Sequence, residues 1–405
     1  MKELISKLKI IINNEKIILI LFGIYIATTN LDYSVYGFFQ PYLIVAKIIR
    51  YVIYGIAIIK IILKIIDNKK INLTILIILL LGIIIMMVSK NKLLLTLLIT
   101  ILLIQDINLK KIIKCCFYSN LLIYLTLILG SIFDIIPNWT YPRGEEIRYS
   151  YGYYYPTLTS TYFFLLILMR FYLKKGNIEI WEISLELLGS TILYKVTDSR
   201  MGYALSLIIV MAEVMFKIYK MLNLKNKEFK ISKAIKKGTI ILPIIAVTIV
   251  TSLLIAYMNK YDLGIKANKI MSNRLQLSGE AIENHGIPLL GKEIKWYGWG
   301  GHGFVEQENF KYNFVDIAYF KMIFDNGLIF LVLYIIAYMS YMKKIVTDNE
   351  LLMIFVNSVL LLWGMIEPNI LETGKNPFII PMVMYIISQG KDVDISSWKI
   401  ISKKV

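Results

Sequence analysis

The chain is 405 residues long, 57% hydrophobic and formally charged at +17. Apolar runs of roughly 16–25 residues recur along its length, each long enough to cross a hydrocarbon core, which excludes a soluble globular domain. Lysine and arginine stand in short runs at the ends of the apolar segments, not in a stripe interleaved with aromatics, so nucleic acid is not an expected partner.

The expected fold class is all-α, a polytopic transmembrane helical bundle forming one integral membrane domain over 1–405. About twelve spans are expected, near 15–30, 41–63, 71–89, 92–107, 115–134, 157–173, 179–197, 201–220, 239–258, 326–342, 350–366 and 376–390. The first apolar run lacks a small-residue cleavage site and reads on as a span, without a cleavable signal peptide.

The positive-inside rule orients these spans. Lys2, Lys7 and Lys9 place the N-terminus in the cytoplasm. Lys60, Lys64, Lys69 and Lys70 agree in the next inner loop, as do Lys110, Lys111 and Lys114, then Arg170, Lys174 and Lys175. The loop LKNKEFKISKAIKKG, Lys343 with Lys344, and the tail SKKV also fall inside. Lys90 and Lys92 are exceptions, in a short outer turn. Both termini are then cytoplasmic. The polar segments 135–156, 197–200, 259–313 and 367–377 face outward, and 259–313 is the large extracytoplasmic loop.

Along these outer segments stand the residues able to do chemistry. The 135–156 loop carries Arg143, Glu145, Glu146 and Arg148, then five tyrosines between 149 and 155. Guanidinium groups bind phosphate through paired donors, and aromatic faces suit sugar rings. The same residues fit an interfacial aromatic belt with ordinary loop charges. TDSR puts Arg200 at the start of an apolar run, where a lone arginine commonly snorkels to the interface.

Within 259–313, NRLQLSGEAIENHGIPLLG predicts a short amphipathic helix with Arg274 near its start. His285 lies in a turn, whereas His302 sits among the glycines of GWGGHGF, which permit close backbone approach to a ligand. Histidine exchanges a proton near neutral pH, so His302 is the preferred general base. Asp316 and Tyr319 follow, and Asp325-Asn326-Gly327 marks a break between a short re-entrant piece and the next span. Glu182 and Glu186, one turn apart, fit a proton path or the inner interface.

Cys115 and Cys116 are adjacent, a poor geometry for a bridge, and read as reduced and inert. Two histidines on unrelated segments do not make a metal site. No metal or cofactor is expected.

In order, RYSYGYYYPTLTS, TDSR, NRLQLSGEAIENHGIPLLGKEI and VDIAYFKMIFDNGLIF resemble the motifs of the Wzy-type polysaccharide polymerases, sisters of the O-antigen ligases. The likeness covers most of the chain in topology and is motif-level in sequence. Tyr155-Pro156-Thr157 stands where the family commonly has His-Pro-Asn, and Asp316-Ile317 where it has Asp-Asn.

The resemblance implies a GT-C-like glycosyltransferase of the bacterial cytoplasmic membrane. It would join undecaprenyl-diphosphate-linked oligosaccharide repeats on the outer face into capsular, exo- or O-antigen polysaccharide. Arg148, Arg200 and Arg274, with Arg143 as a further candidate, would hold the diphosphate without a metal. His302 would orient or deprotonate the acceptor hydroxyl, and Asp316 and Tyr319 would bind sugar or hold His302. A flippase and a chain-length regulator would be its partners. A ligase-like transferase differs only in acceptor. A flippase for the same lipid-linked sugars is the alternative of another class, and predicts charge along the depth of the bundle.

Overall fold

The computed structural model describes residues 13–68, 70–221, 233–298 and 312–394. His302, Lys2, Lys7, Lys9, Lys69, most of the basic loop after residue 221 and the C-terminal tail lie outside the described residues. A helix stands in each of the twelve apolar runs.

The first half comprises α1 (Glu15–Leu31), α2 (Gln40–Asn68), α3 (Leu73–Ser89), α4 (Leu93–Ile104), α5 (Leu109–Ile132) and α6 (Pro156–Leu173). Asparagines begin three of them. The side chains of Asn14, Asn72 and Asn108 each accept from a free backbone N–H in the first turn of α1, α3 and α5. Pro156 opens α6, where its missing N–H leaves no hydrogen bond unmade. The chain continues with α7 (Ile180–Thr197), α8 (Arg200–Met221), α9 (Lys233–Met258) and the short α10 (Asp262–Ile270), α11 (Arg274–His285) and α12 (Ala318–Asn326). Three further helices, α13 (Leu328–Thr347), α14 (Leu351–Gly364) and α15 (Ile379–Ser388), complete it.

Among the described residues five helices, α5, α6, α8, α9 and α13, are long and apolar enough to cross a membrane; α3, α4, α14 and α15 are apolar but shorter. Large apolar side chains such as Ile44, Ile48, Val52, Leu122 and Met215 are exposed along the outside of the bundle, as lipid-facing side chains are. The chain is an all-α membrane protein.

The helices pack as a closed circuit. Helix α1 lies against α5, α5 against α6, and α6 against α7, α8 and α14. Helices α9 and α13 continue from α14, and α15 returns to α4, which packs on α1 and α2. Helix α6 is the pillar of this circuit, with 72% of its apolar window buried. It meets α8 closely, because a Cβ at Gly202 would lie 2.1 Å from Ser160 Oγ. At one end, β1 (Lys70–Asn72) pairs antiparallel with β4 (Asp392–Asp394).

The opposite end carries the polar segments. A hairpin of β2 (Thr140–Arg143) and β3 (Glu146–Tyr149) stands there in the 135–156 loop, with Tyr141 opposite Arg148. The break expected at Asp325-Asn326-Gly327 separates α12 from α13, with Gly327 at φ 99°. Residues 287–292 cross this break: Leu328 N–H donates to Pro288 O at 2.9 Å, and Lys292 N–H to Phe324 O at 2.8 Å. A Cβ at Gly327 would meet Leu289 O at 2.2 Å, so only glycine fits under the crossing strand.

Candidate functional site

Position along the hairpin decides which arginine is buried, since both lie on one face of it: Arg143 is paired with Glu146 beside the turn, Arg148 with the buried Tyr141 away from it. On β3, Glu146, Ile147 and Tyr149 are exposed while Arg148 is buried, 9% accessible. Its Nη2 donates to the Tyr155 hydroxyl at 3.3 Å, and its guanidinium lies 5.4 Å from that ring. Its Nε has no partner, and among the described residues no carboxylate lies within ion-pair distance. A buried cation left without a counter-ion is costly and is found where an anion is to be received.

Arg274 opens α11 immediately after Ser272 and Asn273, both at positive φ, which turn the chain sharply. Leu275, Ser278 and Ala281 are buried along the face of this helix that Arg274 shares. The arginine has Asp316 at 3.7 Å and Glu367 at 3.7 Å, both beyond hydrogen-bonding distance, and its Nε is unpartnered. Among the described residues its side chain makes one hydrogen bond, from Nη1 to Met271 O at 3.3 Å. Tyr155 lies within electrostatic reach of it, which joins the Arg274 and Arg148 stations. Tyr312 donates to Asp316 at 3.4 Å.

Both acids are held above their ordinary range. Burial raises Asp316, against the pull of Arg274. Burial likewise pushes Glu367 up to about 7, with Arg274 opposing and the Asp316 charge assisting. A carboxyl near neutrality beside the under-bonded Arg274 provides a proton acceptor and an anion-binding group in one place.

Arg143 and Arg200 occupy a neighbouring station at the rim. Both address Asp198, Arg143 Nη1 at 2.7 Å and Arg200 Nε at 3.7 Å. Arg143 also donates to Ser272 at 3.3 Å, two residues before Arg274. Arg200 is 59% exposed. Of the residues singled out in the sequence, the fold therefore brings Arg148, Arg274 and Asp316 together and sets Arg143 and Arg200 beside them.

Tyr319 does not join them. It is fully buried, with its hydroxyl donating to Leu361 O at 2.8 Å and its ring against Gly364. Its place on the inward face of α12 leaves no surface for a sugar. Glu182 and Glu186 lie toward the far end of α6, where Arg170 and Lys174 pair with them.

The loop 365–378 was readable only as an outer polar segment, yet it supplies much of the site. It is mostly buried, unusual for a loop. Asn376 supports it by donating to Ile370 O and accepting from Phe378 N–H. Besides Glu367, it carries Glu372, which accepts from the Tyr33 hydroxyl at 2.7 and 2.6 Å. Lys375 lies 3.2 Å above the Tyr33 ring, and burial pulls its ammonium down to about 8. The available signal was the density of charge and turn formers in EPNILETGKNP, between two apolar runs.

No family model, curated protein or solved structure matches the chain.

Proposed function

We propose that the chain is a twelve-span, GT-C-like glycosyltransferase that polymerises lipid-diphosphate-linked oligosaccharide repeats on the outer face of the bacterial cytoplasmic membrane. The observation that carries this reading is Arg148, buried with no carboxylate partner among the described residues and joined through Tyr155 to the under-bonded Arg274. Such a pair suits the diphosphate leaving group, whose charge grows as the glycosidic bond breaks.

In the reaction, the hydroxyl oxygen of one lipid-linked repeat forms a bond to the anomeric carbon of the growing chain. The bond from that carbon to the diphosphate oxygen breaks, and the electron pair leaves with the lipid diphosphate. Arg148 and Arg274 take up that charge, and Arg200 and Arg143 steer the lipid head group at the rim. The hydroxyl proton passes to a carboxylate beside Arg274, with Glu367 the better acceptor because its pKa stands near neutrality. His302, outside the described residues, is the alternative acceptor. Donor and acceptor are both undecaprenyl-diphosphate oligosaccharides, and a flippase and a chain-length regulator complete the pathway. A ligase-like enzyme would share every step and differ in acceptor.

A transporter reading draws on one observation, Glu213, fully buried in α8 beside Glu186 and Arg170. One experiment separates the readings. A deletion strain is complemented with wild type, Arg148→Ala or Arg274→Ala, and polymer length and the sidedness of lipid-linked repeats are measured. Wild type restores a ladder, and each variant, inserted normally, reduces polymer about 100-fold or more. Full-length polymer from both variants would sink the site. Repeats trapped on the cytoplasmic side of the deletion strain would make the chain a transporter.

A further inference from the structure

A cavity of about 260 Å³ opens beside the arginine site, between α1, α2, α4 and the loop 365–378. Its walls are the rings of Tyr25, Tyr33, Tyr54 and Tyr162, and two ion pairs line it. Arg50 pairs with Asp32, whose Oδ1 also accepts from Tyr42 at 3.1 Å. Lys375 pairs with Glu372 at 3.8 Å. Each cation thus has its own carboxylate, and the formal charges of the lining cancel.

That balance contrasts with the neighbouring site. An anion entering the cavity would have to displace a carboxylate from Arg50 or Lys375, whereas Arg148 has none to displace among the described residues. A sugar ring meets no such obstacle. Its C–H faces pack on aromatic rings, and its hydroxyls accept from guanidinium and ammonium and donate to carboxylate. The cavity falls below the range of about 300–1,000 Å³ typical for larger ligands, which suits one ring and not a whole repeat. The two sites touch through the loop, which carries Glu367 at the arginine end and Glu372 at the cavity end. Between them stand the rings of Tyr33 and Tyr154, 5.8 Å apart.

We infer that this cavity is a glycan subsite holding one uncharged pyranose ring of the substrate next to the ring that reacts. It therefore sets which sugar is accepted. The identity of the ligand as a glycan rests on the polymerase reading; the neutral, aromatic character of the cavity does not.

The test uses the full-length protein in lipid nanodiscs and two probes. Saturation-transfer NMR follows free neutral hexoses, 6-deoxyhexoses and N-acetylhexosamines, and calorimetry follows inorganic pyrophosphate. Tyr54→Leu removes one aromatic wall, and Thr96→Phe fills the cavity without removing a charge. Wild type is expected to give saturable transfer to at least one neutral sugar. Both variants weaken it at least tenfold, and Arg148→Ala leaves it unchanged. Pyrophosphate binding follows the opposite pattern, lost in Arg148→Ala and kept in the cavity variants. No saturable transfer in wild type, or wild-type sugar binding in both cavity variants, overturns the subsite. Loss of sugar binding in Arg148→Ala overturns it too, since the two sites would then be one. Pyrophosphate that fails to bind wild type sinks the arginine site and leaves the cavity result to stand by itself.

Discussion

Arg148 keeps an unmatched charge below the surface, and the physical consequence is a conflict between stability and function. Arg148→Met retains the bulk and removes the uncompensated charge. Its unfolding temperature in detergent is expected to equal or exceed that of wild type, while polymer synthesis falls about 100-fold or more. A variant that unfolds well below wild type would show the arginine to be a structural brace. Glu367 governs the pH response. Its carboxylate works as the base when ionised, so transfer by purified protein declines as pH falls through about 7. Glu367→Gln removes that limb and lowers the rate about 10²–10⁴-fold. A limb that persists in Glu367→Gln points to His302 or Asp316. Residue types in the sequence made the arginines candidates, because guanidinium groups bind phosphate, but left an interfacial role open for the same residues. Glu367 escaped notice, because its proximity to Arg274 exists only after α11 and α14 are brought together.

The elements act by holding these side chains in register. A buried amide network spans three of them: Asn30 of α1 donates to Asn120 of α5 at 2.7 Å, and Asn120 donates to Gly374 O at 3.0 Å. Tyr153 completes it by donating to Asn30 at 3.1 Å. Asn120→Leu leaves Asn30 and the Gly374 carbonyl without this partner. Its expected cost is about 0.6–1.7 kcal/mol, read by chemical or thermal unfolding in detergent. It also frees the loop 365–378, so sugar binding in the cavity weakens, whereas a purely local role would leave that binding intact. Two glycines test the α12–α13 break. Gly286 has positive φ with extended ψ and open space around it, so Gly286→Ala meets backbone strain alone, about 1–3 kcal/mol. Gly327→Ala adds a backbone clash with Leu289 O and is expected to unfold at a clearly lower temperature than Gly286→Ala. Equal stabilities would mean that residues 287–292 do not press on the break.

The helices form a circuit with the candidate site at one end, so the orientation of the molecule in the membrane decides which lipid-linked molecules can reach that site. Cysteine labelling reads that orientation in a Cys115→Ser, Cys116→Ser background. Glu145→Cys at the hairpin tip is expected to react with an impermeant maleimide on intact cells, and Thr347→Cys at the far end of α13 only after permeabilisation. The reverse pattern would put the site in the cytoplasm and exclude polymerisation on the outer face.

Hydrophobic length and turn chemistry act locally, which is why the places of the helices, the break at Gly327 and the amphipathic stretch from Arg274 could be read from the chain. The same locality exposed Arg148 and Arg274 as candidates. Packing of the hairpin then buried Arg148 beside Tyr155 and left Arg143, next to the turn, at the rim. Tyr319, plausible beside Asp316 in sequence, is buried in the core because the helix starts only at Ala318, so Asp316 and Tyr319 do not share a helical face. Glu367, Glu372 and Lys375 meet Arg274 and Tyr33 across separations of 93 to 342 residues, a distance no local pattern encodes. Local sequence determined where the chain could enter a membrane and which charges stood outside its apolar runs. Packing alone decided which of those charges share a counter-ion, which lack one, and where a cavity opens between them.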